Sequence, residues 1–111
     1  MLKVKNNNIS ITRGDSGVVK VLPTNPDGTP YTVKEDDSIV LTVKTDTSTS
    51  KALISLPVVD GQAVFKPAHT KGLKYGAYVY DVQLTTAEGD VYTFIPPHTF
   101  KILEEVTFDD G

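Results

Sequence analysis

The run SIVLTVK at 38–44 places Ile39, Leu41 and Val43 on one side of an extended chain and Val40, Thr42 and Lys44 on the other. A helix would scatter those three aliphatics around its circumference. A strand gathers them, because side chains alternate across a sheet with a period of two. The same alternation assigns Ile9 and Ile11, Val19 and Val21, Ile54 and Leu56, and Ala63 and Phe65 to a common interior. Later in the chain it adds Tyr78, Tyr80, Val82 and Leu84, then Phe100 and Ile102. Register is strongly specified, since a slip of one residue would turn every one of these outward.

Turn signals separate most of these runs: GDSG at 14–17, NPDG at 25–28, DG at 60–61, HTKG at 69–72 and AEGD at 87–90. Short strands between regular turns, with no convincing amphipathic helix, predict an all-β chain built as a sandwich or barrel. Asp60-Gly61 suits the positive φ angles of a type I′ turn, so 52–67 reads as a hairpin. Pro57 within its first arm demotes that arm to an edge or bulge, and Pro96-Pro97 separates the two last runs, DVYTFI and HTFKIL. Leu73, Gly76 and Tyr78 stand at the spacing of a tyrosine corner, in which a Tyr hydroxyl reaches back to upstream backbone. The expected fold is therefore an immunoglobulin-like antiparallel β-sandwich of about seven to nine strands. The 111 residues form one domain, with no repeat and no linker.

Composition narrows the function classes. Net charge is −3, with acids and bases interspersed along the chain, so no basic stripe invites nucleic acid or a membrane surface. The chain has no cysteine, which removes disulfides, thiol nucleophiles and thiolate metal sites. No apolar run has the length of a membrane span, and the first ten residues carry no signal-peptide core. The expected location is the cytoplasm, unless the protein leaves as part of a particle.

The most conspicuous tripeptide is Arg13-Gly14-Asp15, which adhesion receptors recognise when its charges are splayed at a loop tip. Here strand character runs up to Thr12, and Gly14 through Gly17 supplies turn chemistry. Arg13, Gly14, Asp15 and Gly17 thus read as a structural turn, the corner of a hairpin between the first two strands. His69 and His98 lie apart in polar, turn-like settings, and the acids at 27 and 35–37 lack the order of a calcium loop, so neither a metal nor another cofactor is implied. No catalytic motif is present, and a non-enzymatic role is expected. Asp81 is the odd charge, on the outward face of a strongly apolar strand, where a cross-strand Lys is the natural partner. Tyr31, Tyr75 and Tyr92 are not claimed by the core, and exposed together they would favour an interface.

The order ITRGDSG, DGTPY, DDSIVLTVK, LKYGAYVYDVQL and FKILEEVT resembles small immunoglobulin-like proteins of tailed phages and prophages of Gram-positive bacteria. The N-terminal domain of upper baseplate proteins is of this type. The matching positions are Arg13 to Asp15, Asp37 to Lys44 and Gly76 to Val82. The resemblance implies a virion structural module, associated with tail or baseplate, that packs against other phage structural proteins or forms a homo-oligomer. It places the protein in the virion, or in the host cytoplasm before assembly. It also treats the RGD as a recurring hairpin feature. The alternative is a bacterial surface adhesin or carbohydrate-binding β-sandwich module, which requires an exposed aromatic strip or a protruding RGD.

Overall fold

A computed structural model describes residues 1–104 of the chain. Eight strands and one short helix follow in the order β1 (Lys3–Lys5), β2 (Asn8–Thr12), β3 (Gly17–Lys20), β4 (Ser38–Lys44), β5 (Ile54–Pro57), β6 (Gln62–Phe65), α1 (Pro67–Lys71), β7 (Gly76–Thr85) and β8 (Val91–Leu103). Six strands form one mixed sheet in the order β1-β2-β8-β7-β4-β5, and β3 pairs with β6 in a separate two-stranded sheet. The remaining part of the acidic tail, residues 105–111, lies outside the described residues.

The period-two reading places the core almost residue for residue. Of the seventeen side chains assigned inward, sixteen are buried, and Tyr78 is partly buried against them. The two layers meet at Phe65 and Phe100, whose rings stack with centroids 5.4 Å apart.

Strand pairing departs from the expected antiparallel sandwich in three places. First, β2 runs parallel to β8, with Ile9 opposite Phe100 and Ile11 opposite Ile102. A tight turn ties β2 to β1, but none joins it to β8, and the apolar residues of β2 and β8 match in this parallel register. Second, the corner at 13–16 is not a hairpin. It carries the chain from β2 in the large sheet to β3 in the small one, where Gly17 faces Phe65 and Val19 faces Ala63. Third, the 52–67 hairpin divides. Asp60 (φ 53°) and Gly61 (φ 74°) make the tight turn, bracketed by reciprocal bonds between Val59 and Gln62. Beyond it β5 joins β4 while β6 joins β3, because the inward sets of the two arms belong to facing layers. Pro57 does lie on the edge strand.

Two elements carry no expectation from the pattern. β1 pairs with β2 through Asn6 and Asn7, both at positive φ, the geometry of a type I′ turn. α1 opens on Pro67 directly after Phe65 and Lys66, which suits the residue at a first helical turn. The runs at 90–95 and 98–103, expected as two strands, form one long strand from Val91 instead. Tyr80 faces His98 and Val82 faces Ile95, so Pro96 and Pro97 bulge opposite Asp81 alone. A second shift at Phe94 lets the consecutive residues Phe94 and Ile95 both pack against the core.

The crossover corner depends on Thr70. Its side chain is fully buried, and its Oγ1 accepts the Gly14 N–H at 2.8 Å. Thr70→Val keeps the shape and removes the acceptor, so it should cost about 1–2 kcal/mol. Urea denaturation should record a lower midpoint with unchanged slope; a loss below about 0.5 kcal/mol would mean the corner is held by other means.

Candidate functional site

The large sheet is wider than the layer that covers it, and its inner face is exposed at one end. Tyr92 stands opposite Leu84 and shares its inward side, yet Leu84 is buried while Tyr92 is 54% exposed. Here the second layer is a loop, residues 22–37, instead of a strand. Between that loop, the 86–90 turn and the first residues of β8 runs an open groove of about 880 Å3. That size falls in the range of ligand clefts. Tyr31, Tyr92 and Phe94 supply its aromatic surface, with Lys34, Glu88 and Asp90 among its charged groups.

Local chemistry shapes both walls. In the loop, Asn25 N–H donates to Thr29 O at 2.8 Å, Gly28 N–H donates to Asn25 O at 2.9 Å, and Tyr31 N–H donates to Pro23 O at 3.0 Å. The Asp27 carboxylate accepts from the Thr29 hydroxyl and amide, and the hydroxyl bond is the larger cause holding its pKa below the ordinary value. In the opposite wall, Thr86 N–H donates to Asp90 O at 2.8 Å and closes the turn.

Tyr31 is fixed from two sides. Its hydroxyl donates to Asp37 Oδ2 at 2.8 Å, and its ring lies 5.6 Å from that of Phe94, tilted by 53°. The same Asp37 oxygen accepts the Lys34 N–H at 2.8 Å. That amide bond, with the Tyr31 hydroxyl second to it among the favourable contacts, holds the Asp37 carboxyl below its usual range against a partial desolvation. In return the bond to Asp37 raises the Tyr31 pKa, and the nearby Tyr92 and Glu88 push in the same direction. The Tyr31 ring is thus held in place at the groove, with little side-chain freedom left to lose on any contact.

The residues singled out from sequence gather at the other end of the molecule. Arg13 lies over the Tyr75 ring at 4.5 Å and its guanidinium reaches Leu73 O at 3.4 Å. Asp15 accepts from the Met1 amine, and Asp15 N–H donates to Thr12 O at 3.0 Å. Gly14 sits at φ 85°, a conformation that an L side chain strains. Gly17 passes so close to Leu2 that an added Cβ would stand 2.7 Å from it. The Tyr78 hydroxyl donates to Lys74 O at 2.7 Å, just after Leu73 and beside Gly76 at the start of β7. Arg13 and Asp15 are thus both engaged locally, not splayed at a tip.

The histidines do not meet. His69 Nδ1 accepts the Lys66 N–H at 2.8 Å, whereas His98 Nδ1 faces Pro96 O at 2.6 Å, a carbonyl to which it must donate. Among the described residues no three His, Asp or Glu side chains assemble as a metal site. Asp81 faces Thr42 in the pairing, two residues from Lys44, and its carboxylate makes no hydrogen bond among the described residues. Partial burial raises its pKa, with Lys44 acting the other way.

Searches against protein-family models, curated proteins and solved structures find no match to this chain. The groove was only partly visible in sequence. Tyr31 and Tyr92 stand out as aromatics without a core position and Asp37 only as an acid lacking the order of a calcium loop, whereas Phe94, Glu88 and Asp90 do not stand out. Their convergence depends on a bulge and on a long irregular loop.

Two titrations follow. Asp37 should ionise below an ordinary Asp, so its contribution to stability is present above the ordinary value and is lost as pH falls through the lowered one. Tyr31→Phe should move that titration part of the way up, because the Lys34 amide remains; NMR titration of the carboxyl reads both values, and no movement would remove the Tyr31 bond from the account. Asp81 has the opposite sign, its charged form being disfavoured by folding. Asp81→Asn should therefore stabilise the protein at neutral pH, by about 0.5 kcal/mol at most, and the gain should vanish below the ordinary Asp range.

Proposed function

We propose that this chain is a non-enzymatic structural module of a phage or prophage virion, associated with tail or baseplate, acting through protein–protein assembly. The observation that carries the assembly reading is the aromatic groove. Tyr92 is an inner-face residue left exposed beside the half-buried rings of Tyr31 and Phe94, and aromatic residues are enriched where proteins meet. The exposed cross-strand pair Val18 and Val64, on the outer side of the small sheet, adds apolar surface elsewhere. The phage origin rests on the order of the motifs around Arg13–Asp15, Asp37–Lys44 and Gly76–Val82.

A second reading draws on the same groove. Aromatic faces beside carboxylates and hydroxyls suit a sugar as well as a protein, so a carbohydrate-binding surface module is the alternative. The RGD form of adhesion is disfavoured, because Arg13 and Asp15 are both occupied by local contacts.

Mass spectrometry of particles purified after induction of the host tests the virion reading. The chain should be recovered at a fixed ratio to tail proteins. Its absence from intact particles, together with a hit on a glycan array that Tyr92→Ala abolishes, would replace this reading with the second.

A further inference from the structure

Acids and bases alternate along the sequence, but folding sorts them to opposite ends. The groove end, where the 22–37 loop meets the 58–61 and 86–90 turns, holds Asp27, the Glu35–Asp37 run, Asp60, Glu88 and Asp90. Only Lys20 and Lys34 oppose them there. The corner end gathers Arg13, Lys66, Lys71, Lys74 and Lys101, and β1 and the β4–β5 connection bring Lys3, Lys5, Lys44 and Lys51 to the same half. In that half the described acids are Asp15, Asp46 and Glu104, with Asp81 midway along β7. Three further acids belong to residues 105–111, outside the described part.

The molecule measures 46 × 28 × 25 Å. Six strands side by side span about 29 Å, so the long axis runs along them, from groove to corner. Screening acts over about 8 Å at physiological salt, several times less than that separation. The two ends therefore cannot neutralise each other within one molecule, although two molecules in line can do so.

We propose that the occupant of the groove is the corner end of a second copy of this chain, docked head to tail. This rests on the assembly reading above and names its partner. Charge complementarity selects the corner, which exposes Tyr75 (37%) together with the side chains of Lys66 and Lys74. Their aliphatic stems can lie on Tyr31, Tyr92 and Phe94 while the ammonium groups reach Glu88 and Asp90. Such a contact is heterologous: each copy offers a groove to one neighbour and a corner to another, so association continues until a ring closes or a filament grows.

Two double variants test it. Tyr92→Ala with Glu88→Lys disables the groove, and Lys66→Glu with Lys74→Glu disables the corner. All four side chains are exposed, so thermal midpoints should match the wild type. By analytical ultracentrifugation at about 20 mM salt, each variant alone should dissociate with a Kd raised about thirtyfold or more, while the wild type forms multimers that melt at about 500 mM salt. Mixed one to one, the variants should form dimers and stop there, since each retains only one working end. Variants that associate like the wild type would overturn the proposal, as would a mixture that stays monomeric. A wild type that is monomeric at every salt concentration but is still a constituent of purified particles would end the self-docking and leave the virion reading standing. An oligosaccharide that occupies the groove while the corner variants associate normally would also overturn it.

Discussion

Six strands on one side of the core face two on the other, and most of what is distinctive here follows from that imbalance. The small layer supplies Val19, Ala63 and Phe65, enough to seal the middle of the large sheet, with Val21 just past the end of β3. It falls short at the end of β7 and β8, where the 22–37 loop stands in for a strand. A loop cannot continue a ladder, so it holds itself together with Asx and turn bonds and contributes one ring, Tyr31, to the cover. The rest of that inner face stays open, with Tyr92 on it.

The opposite end is closed by polar contacts instead of by layers. Thr70 reaches the Gly14 amide, Arg13 reaches Leu73 and Tyr75, and Tyr78 bonds back to Lys74. The first two join the β2–β3 crossover to α1 and to the connection that follows it, which sequence separates by more than fifty residues. Receptor-like letters at 13–15 are thus part of a clasp between two connections. Burial pushes the pKa of Tyr80 in β7 up to about 12, and its hydroxyl donates to the Asn7 carbonyl of the β1–β2 turn, another tie across a long stretch of sequence.

What was legible in sequence and what was not divide along a physical line. Facing is local: alternation at 38–44 or 78–84 fixes which side of a strand is apolar, and the core list emerges from it directly. Pairing is not local. The Asp60-Gly61 turn forms as its dipeptide demands, yet nothing in ISLP or QAVF says that the arms join different sheets. The parallel match of Ile9 with Phe100 and Ile11 with Ile102 spans nearly the whole chain. Charge distribution was hidden for the same reason, since interspersed residues become segregated only when turns are sorted to ends. The groove needed all three, together with the bulge that brings Phe94 inward.

The proposed head-to-tail docking rests on an elongated molecule with unlike ends and an exposed aromatic residue at one of them. Small-angle scattering of the wild-type protein over a concentration series in low salt tests that most directly. Head-to-tail association predicts a maximum dimension growing in steps of about 46 Å at constant cross-section. Particles that thicken without lengthening, or a scattering curve that stays that of the single molecule at every concentration, would contradict it.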